Sequence, residues 1–516
     1  MTTRRKLPIG IQNLREIREE GYYYVDKSRH ALQLIEHGKY YFLSRPRRFG
    51  KSLFLDTLKE LFEGNASLFT GLAAENRWDW SKKYPVIRIS FGGGVLGSVT
   101  RLEQSIDEQL GTLEKQYDLP AEYPDVFSRF KRLIHRLVTS THQRVVILVD
   151  EYDKPILDRI EEPQTAAQIR EVLKDLYSVI KDSDAYIKFA FLTGVSKFSK
   201  VSLFSGLNNL QDITLDARYS DICGYTETDI DSTFSPELFD LDRQRIKDWY
   251  NGYNWLGTSV YNPFDILLLF DTRSFRAHWF ETGTPTFLIK LLQQRQTFTP
   301  DLGRSIASDT LLSTFDVDTI PTETLMFQTG YLTIASVDHI PGLMELTLKY
   351  PNLEVQASLN NCLLESLTNS RTTPIRHISK LYKLLSIPDF AGLQGLFQSF
   401  YASIANDWYR KNEMSTYEGY YVSIFYSYFA ALGLDIHVED PTNHGRIDMT
   451  VKFHGHIFLF EFKVVEMEPE GKALEQLQKM GYAEKYRSTG QPIHLIGVEF
   501  SKKTRNIVGF AVDSLG

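Results

Sequence analysis

The first 218 residues alternate short apolar runs with stretches whose apolar positions recur every three or four residues. The first pattern is typical of buried strands, and the second of amphipathic helices. The predicted strands are Tyr40–Ser44, Val86–Phe91, Arg144–Val149, Ile187–Thr193 and Asp212–Leu215. The predicted helices between them are Lys51–Phe62, Val99–Tyr117, Val126–Thr139 and Pro163–Ile180. Strands that alternate with helices predict an α/β domain with a parallel sheet covered on both faces.

The strand pattern fades after Tyr219, and the following stretch favours helices. The predicted helices are Thr226–Phe234, Asp242–Tyr250, Pro263–Phe270, Thr284–Gln294, Ala357–Thr368 and Phe390–Asn406. An aromatic turn, YNGYNW, occupies Tyr250–Trp255. We therefore expect a smaller, mainly helical lid or middle domain after the first sheet.

The last hundred residues return to mixed patterns. The predicted elements are a helix over Tyr417–Leu432, strands over Arg446–Phe453 and His456–Val465, a helix over Glu470–Arg487 and a strand over Pro492–Phe500. They predict a compact α/β unit at the C-terminus. The expected domains are 1–218, 219–355 and 356–516.

Composition fits a soluble globular protein, with 42% hydrophobic and 24% charged residues. The formal net charge of -7 gives no global basic field, so any contact with nucleic acid must use a local patch. Cys223 and Cys362 form neither a disulfide framework nor a zinc spacing. The N-terminus has no apolar signal region, and no run is long enough for a membrane helix. We expect a cytoplasmic protein without membrane contact.

A phosphate-binding candidate lies at Leu43–Leu53, LSRPRRFGKSL, between a predicted strand and a helix. Gly50, Lys51 and Ser52 match the end of the GxxxxGK[ST] loop, but Arg45 stands where the first glycine belongs. Lys51 would reach the β- and γ-phosphates and Ser52 would hold Mg²⁺. Arg47 and Arg48, with Arg45, would add positive charge. The alternative is a basic helix start with a chance GKS.

Two more strand ends fit the same site. The segment RVVILVDE ends in Asp150 and Glu151, which a parallel strand places at its carboxyl edge, where such sheets bind ligands. Asp150 would order the Mg²⁺ shell and Glu151 would polarise an attacking water. Thr193 ends another strand and would sense the γ-phosphate between them. Ordinary strand ends that run into an acidic loop or a turn are the alternative.

Several of these segments resemble one known family. They are VDKSRHALQLIEHGKYYFLSRPRRFGKSLFLDTLKELF, VDEYDKPI, TGVSKFSKVSLFSGLNNL and WYNGYNW with VYNP. They are similar to bacterial AAA-ATPase-like proteins with a C-terminal PD-(D/E)XK nuclease domain, from about Leu7 to Phe510. The resemblance implies a P-loop-type sheet domain, a helical lid, and a restriction-endonuclease-like α/β domain. It also implies that RPRRFGKS acts as the Walker A segment, with Arg45 as a normal member.

The nuclease candidate is RIDMTVKFHGHIFLFEFK, over Arg446–Lys463. Glu461 and Lys463 are two residues apart on a strand and share a face, and the hairpin would bring Asp448 opposite Glu461. Two carboxylates can hold Mg²⁺ or Mn²⁺, and Lys463 can stabilise developing negative charge. A Glu-x-Lys pair on a solvated strand face is the alternative.

The resemblance adds supporting residues to this site. In the PD-(D/E)XK core the preceding helix often supplies a glutamate, here Glu418, and the following helix carries residues spaced as Gln476 and Tyr482. For Glu418, a charge favoured by the helix dipole is an equal interpretation. We interpret the nearby histidines at 444, 454 and 456 as solvent-edge turn residues rather than metal ligands.

The sequence thus predicts an ATP-binding protein whose metal-dependent nuclease cuts nucleic acid, DNA ahead of RNA, under control of the nucleotide state. The alternative is a nucleotide-dependent switch or interaction protein whose nuclease fold is inert or only binds nucleic acid. A pure ATPase motor would need an arginine from a neighbouring subunit of a homo-oligomer. Its candidates are Arg45, Arg47, Arg48 and Arg218.

Overall fold

The computed structural model divides the chain into two compact units, Met1–Trp279 with Ser305–Asn352 and Phe280–Arg304 with Leu353–Gly516. The residues that the structure describes are 4–120, 125–197, 207, 209–278, 288–289, 291–292, 295, 299–312, 321–368, 370, 372–404 and 418–515. The predicted domain boundaries after residues 218 and 355 stay predictions.

The first unit is built on a parallel sheet of the order β2-β3-β4-β1-β5. Its strands are β1 (Tyr40–Ser44), β2 (Val86–Ser90), β3 (Val145–Asp150), β4 (Ile187–Gly194) and β5 (Gln211–Asp212). β1 and β3 are buried along their whole length, as expected for strands covered on both faces. β4 lies between β1 and β3, so the carboxyl ends of these three strands meet at one edge.

Amphipathic helices cover this sheet. They are Leu14–Glu19, Ser28–His37, Lys51–Phe62, Val99–Gln116, Val126–Thr141, Lys154–Leu157 and Pro163–Asp182. Local capping fixes several starts: Ser98 accepts from Arg101 N and Asp125 accepts from Ser128 N. The prediction of a parallel α/β sheet domain is confirmed.

The remainder of the first unit contains helices and a small sheet. The helices are Glu227–Thr233, Arg243–Tyr250, Pro263–Thr272, Asp309–Leu312 and Thr322–Thr329. The antiparallel sheet β6-β8-β7 consists of β6 (Ile306–Ser308), β7 (Thr333–Ile340) and β8 (Leu343–Lys349). The sequence pattern predicts no strand here, because most of β7 is exposed and its apolar residues do not alternate regularly with polar ones. The helix predicted over Thr284–Gln294 lies mostly outside the described residues.

The second unit contains a mixed sheet of the order β13-β12-β11-β10-β9. Its strands are β9 (Asp435–Thr442), β10 (Gly445–Phe453), β11 (His456–Val465), β12 (Ile493–Ser501) and β13 (Ile507–Leu515). β11 and β12 are parallel, and the other pairs are antiparallel. Its helices are Leu353–Thr368, Thr372–Ser386, Phe390–Ala402, Glu418–Ala430 and Lys472–Lys479. The prediction contained β10, β11 and β12 but not the two edge strands.

The faces of β11 differ in what covers them. Phe460 and Phe462 lie in a large apolar cluster that includes residues of the helix Glu418–Ala430. Leu459 lies in a smaller cluster with Leu477 of the helix Lys472–Lys479. By alternation, Glu461 and Lys463 lie on the face of this smaller cluster.

One predicted helix is divided. The segment predicted as Glu470–Arg487 forms the α-helix Lys472–Lys479 and the 3₁₀ helix Tyr482–Thr489, separated at Gly481, whose φ is 60°. Among the helices that the structure describes, none has the length and apolar character needed to cross a bilayer.

Candidate functional sites

The segment after β1 directs the side chain of Arg45 into the protein interior. Its guanidinium, on a residue 1% exposed, donates to the carbonyls of Ser44 and Thr214 at 2.8 and 3.0 Å and to that of Tyr219 at 3.1 Å. It also lies 4.1 Å from the ring centroid of Trp255. Burial lowers the pKa of Arg45 to about 10. Carbonyls and an aromatic ring therefore hold the charge of Arg45 inside the protein, and its role at a phosphate stays a prediction.

Lys51 and Gly50 have the positions that a phosphate loop requires. Gly50 has φ 89° and precedes the helix Lys51–Phe62, whose first turn no side chain caps. An uncapped helix start offers backbone N–H groups to an anion. Lys51 Nζ donates to the carbonyls of Arg45 and Pro46 at 2.9 Å each, and burial lowers its pKa. Lys51 thus lies against the loop that a phosphate would enter.

The remaining predicted residues of the phosphate loop are exposed or half-buried. Arg47 and Arg48 are exposed, and Ser52 is half-buried at the helix start. Arg48 has φ 71° and lies 4.2 Å from the ring centroid of Phe264. Of the three predicted arginines, Arg47 and Arg48 are therefore the two with charge at the surface.

Asp150 and Thr193 meet at the carboxyl edge, as the sequence predicts. Thr193 Oγ1 donates to Asp150 Oδ1 at 2.9 Å, and both residues are buried. Arg88 is not among the residues predicted for this site, although a charged residue inside the apolar strand VIRIS indicates a possible functional position. Its guanidinium donates to Asp56 Oδ1 at 2.8 Å and lies 3.8 Å from Asp150 Oδ2. Arg88 therefore joins the helix after the phosphate loop to the acidic end of β3.

The acidic turn after β3 contains two more carboxylates. Glu151 has φ 52°, and burial raises its pKa. Asp153, also missed, is fully buried and accepts hydrogen bonds from Val195 N and Ser196 N at 3.0 and 2.6 Å. Asp153 thus fixes the backbone that follows Thr193. The rest of the TGVSKFSKVSLFSGLNNL segment, except residues 207, 209 and 210, lies outside the described residues after Lys197.

Three aromatic side chains, Phe49, Tyr253 and Trp255, pack together beside the phosphate loop and are called here the aromatic clamp. Phe49 packs edge-on against Tyr253 and Trp255, with ring centroids at 4.7 and 5.4 Å. Gly224 N donates to the Phe49 carbonyl at 3.1 Å. The YNGYNW turn therefore contacts the loop directly, a contact that the sequence pattern does not indicate.

The hairpin of β10 and β11 assembles the second candidate site. Glu461 is fully buried, and Lys463 Nζ donates to its Oε1 at 3.0 Å. Lys463 also donates to the Phe462 carbonyl at 3.0 Å. Asp448 Oδ2 accepts from Phe462 N at 2.8 Å, between the other two residues. The structure therefore gathers Asp448, Glu461 and Lys463 around one short stretch of β11.

Asp448 takes the place of a backbone partner. The pairing of β10 with β11 runs from Phe453↔His456 to Met449↔Phe460 and ends there. The amide of Phe462 bonds instead to the Asp448 carboxylate. Burial raises the pKa of Asp448, which Glu439 raises further while Lys463 lowers it. This carboxylate is thus held in one orientation at the point where the strands separate.

The donor set fits part of a divalent-metal shell. Carboxylate oxygens are the ligands that Mg²⁺ and Mn²⁺ prefer, and such ions commonly keep several waters. Within the described residues, no group of three or more acidic, histidine or cysteine side chains could hold a metal. Glu418 begins the helix Glu418–Ala430, but its side chain lies outside what the structure describes. Among the described residues, Asp448 and Glu461 are thus the two carboxylates of this site that could contribute to such a shell.

A buried acid anchors the helix that carries Gln476. Glu499 Oε2 accepts from Glu470 N and Gly471 N at 2.6 and 3.0 Å, at the start of the helix Lys472–Lys479. Gly497 pairs with Glu461, and a Cβ there would lie 2.3 Å from Leu474 N. The helix thus lies closely over the strands beside the site.

Gln476 and Tyr482 lie on separate segments. Gln476 is half-buried on the α-helix, and Tyr482 is buried in the smaller cluster at the start of the 3₁₀ helix. Their supporting role stays a prediction. Three basic residues of these segments pair with neighbouring acids: Lys472 with Glu470, Lys485 with Asp440 and Arg487 with Glu484.

The histidines near the hairpin form no ligand cluster in the described part. His456 Nδ1 lies 3.0 Å from His494 Nε2, and burial lowers the pKa of His494 to about 4. His444 is exposed, and His454 occupies the hairpin turn with φ 49°.

Comparisons with known proteins cover both sites. A model described as "Predicted AAA-ATPase" matches residues 8–204, and one for the PD-(D/E)XK nuclease superfamily matches residues 416–510. The chain is also similar to an "Uncharacterized protein in vnfD 5'region" from Azotobacter chroococcum mcd 1. The two are 60% identical over 515 residues, which covers 100% of both chains. No solved structure matches the chain.

Proposed function

The chain belongs to the family that joins a predicted AAA-ATPase domain to a C-terminal PD-(D/E)XK nuclease superfamily domain, and from this premise we propose that it is an ATP-binding, metal-dependent nuclease. Its substrate would be a nucleic-acid phosphodiester, DNA before RNA. The nucleotide state of the first unit would control cleavage.

The arrangement of Asp448, Glu461 and Lys463 carries this proposal. A fully buried glutamate on an apolar strand is costly unless it is paired or functional. Here it contacts a lysine that is 29% exposed and lies near a second acid with a raised pKa. A carboxylate with a raised pKa beside a partly exposed cation is typical of functional sites.

Each residue has a chemical role in this proposal. Asp448 and Glu461 would hold Mg²⁺ or Mn²⁺. When bound, the metal would activate water and offset charge on the scissile phosphate. Lys463, whose ammonium already lies at Glu461, would stabilise the negative charge that develops on the phosphate oxygens. Burial of Glu461 excludes solvent from one side and strengthens these interactions.

The nucleotide site would bind ATP with Mg²⁺. Lys51 would exchange its loop carbonyls for the β- and γ-phosphates, and Ser52 with Asp150 would hold the metal. Glu151 would polarise the attacking water, and Thr193 would sense the γ-phosphate through its bond to Asp150. Nucleotide binding would then bias the chain between cleaving and resting states.

The test is incubation of the purified chain with labelled single- and double-stranded DNA and RNA, with Mg²⁺ or Mn²⁺, with and without ATP. We expect cleavage that requires metal, changes with ATP, and is lost in Asp448→Asn. Absence of cleavage under all conditions, with ATP binding intact, would contradict the proposal.

One observation favours the alternative of a nucleotide-dependent switch. Lys463 donates to Glu461 Oε1 and to the Phe462 carbonyl, so its ammonium already has two partners within the protein. An inert nuclease fold would show ATP binding that Lys51→Ala removes, and no metal-dependent cleavage of any nucleic acid.

A further inference from the structure

The amino-terminal edge of the first sheet, opposite the phosphate loop, gathers positive charge on an acidic chain. Arg144 precedes β3, Lys188 lies at the start of β4, and Lys83 precedes β2. The helix Val126–Thr141 approaches the same edge, and residues 126–144 contain four arginines and one lysine but no acid. A local surplus of this kind is the electrostatic footprint of an anionic partner.

These cations lie close enough to act on each other. The pKa of Lys188 is lowered by burial, and further by Arg144 and Lys82. The same pattern holds on the helix, where burial, Lys131 and Arg132 lower the pKa of His135. The edge therefore concentrates like charges, which an anion would relieve.

Neighbouring acids neutralise only some of this charge. Asp184 pairs with Lys39, Asp79 with Lys82 and Asp182 with Lys131, and Arg129 pairs with Asp107 and Glu114. Within the part of the chain that the structure describes, four more cations have no ion pair: Lys83, Arg132, Arg144 and Lys188. Three of the four are exposed, and Lys188 is half-buried.

Aromatic rings lie among the cations. Tyr186 is 37% exposed, and its ring is 4.2 Å from that of His135. Lys188 Nζ lies 5.9 Å from the ring centroid of Tyr84. Cations interleaved with exposed aromatic rings form the usual platform for single-stranded nucleic acid. Among the described residues, the other large apolar side chains that are exposed lie outside the segments that form this edge.

We propose that this edge binds single-stranded nucleic acid, with phosphates on Lys83, Arg144 and Lys188 and a base stacked on Tyr186. The inference rests on the proposed function for its class of partner, and it adds a binding surface in the unit that does not contain the nuclease site. The sheet separates this surface from the ATP site by about 20 Å, so both ligands would bind at once.

The experiment measures binding without cleavage. Fluorescence anisotropy follows a labelled 20-nucleotide single strand with the full-length chain in EDTA over a range of salt concentrations. For Arg144→Gln with Lys188→Gln we expect the slope of log affinity against log salt to fall by about 1.4, and affinity near 0.1 M salt to fall roughly 25-fold. Tyr186→Ala should weaken binding about fivefold or more with an unchanged slope.

The matched control is Lys174→Gln with Lys247→Gln, which removes the same charge from the helices Pro163–Asp182 and Arg243–Tyr250. It should bind like wild type, and thermal unfolding should show that all variants are folded. The inference would be overturned if the Arg144 and Lys188 variant bound as tightly as wild type, or if wild type did not bind the strand. It would also be overturned if poly-glutamate competed as well as unlabelled single strand. If wild type cleaves nucleic acid in Mg²⁺ but the Arg144 and Lys188 variant binds as tightly as wild type, the binding surface is excluded and the nuclease proposal stands. If binding depends on these residues but no cleavage occurs, only the nuclease proposal is excluded.

Discussion

At the phosphate loop, the basic residues of RPRRFGKS divide between solvent and the protein interior, whereas at the hairpin the three proposed residues gather as the strand pattern predicts. Alternation fixes side-chain direction along β11, so Glu461 and Lys463 share a face whatever surrounds them. In the loop, Arg48 and Gly50 have positive φ, and partners distant in the sequence determine where Arg45 points. A motif in a strand therefore predicts geometry better than a motif in a loop.

The largest expected effect is at the hairpin. Asp448→Asn and Glu461→Gln keep side-chain volume but weaken metal ligation, so metal-dependent cleavage should fall at least about 100-fold. ATP binding should be unchanged, because the phosphate loop lies in the other unit. Initial rates of DNA cleavage in Mn²⁺ measure this effect.

Glu466→Gln is the matched control for these variants. Glu466 follows β11 and is 81% exposed in its pairing with Lys502, so cleavage should remain at the wild-type rate. Equal loss in this variant would mean that cleavage responds to general charge rather than to the hairpin geometry.

Arg45 and Lys51 should separate folding from binding within one loop. Arg45→Met leaves three carbonyls without their donor and should destabilise the first unit by about 2 kcal/mol. Lys51→Ala leaves two carbonyls without their donor, so it should destabilise the first unit less than Arg45→Met does, by about 1 kcal/mol. It should weaken ATP binding by about tenfold or more, because it removes a charged phosphate donor. Urea unfolding and calorimetric titration with ATP measure the two effects. Loss of ATP binding without loss of stability in Arg45→Met would place Arg45 on the ligand instead.

Metal binding at the hairpin should weaken on acidification sooner than at ordinary carboxylates. A raised pKa means that Asp448 becomes protonated at a higher pH than usual, and the protonated form cannot ligate. The rise in melting temperature that Mn²⁺ produces should therefore shrink as the pH falls from 7 towards 5. In Asp448→Asn this pH dependence should be lost, and its persistence there would assign it to another group.

The smallest effect concerns the aromatic clamp. Trp255→Leu removes a cation–π contact worth about 0.5–2 kcal/mol, so Arg45 and the loop should be less ordered and ATP affinity should fall about two- to tenfold. Trp249→Leu is the control, since Trp249 packs by Phe275 and away from Phe49. Titration calorimetry distinguishes the two, and equal affinities would show that the clamp has no role in binding.

The sequence predicts the strands that carry both sites, but not their edges. β9 is mostly polar and contains Glu439 with φ 47°, so it lacks an alternating pattern. β13 contains enough apolar residues that the same pattern could have predicted it as a strand. The burial of Arg45 was not predictable, because its partners Thr214, Tyr219 and Trp255 are at least 169 residues away along the chain. Charged residues on apolar strands, such as Arg88 and Glu461, are the sequence signal that indicates residues of a candidate site in both units.

The bond between the Phe462 amide and Asp448 makes one proton a local reporter of the hairpin. If a cation draws the Asp448 carboxylate towards itself, this amide loses its acceptor, and its exchange with deuterium should accelerate at that single peptide group. If the cation leaves the bond intact, the amide should become better protected. Isotope exchange followed by mass spectrometry would thus report how the two strands respond to metal, without any substrate.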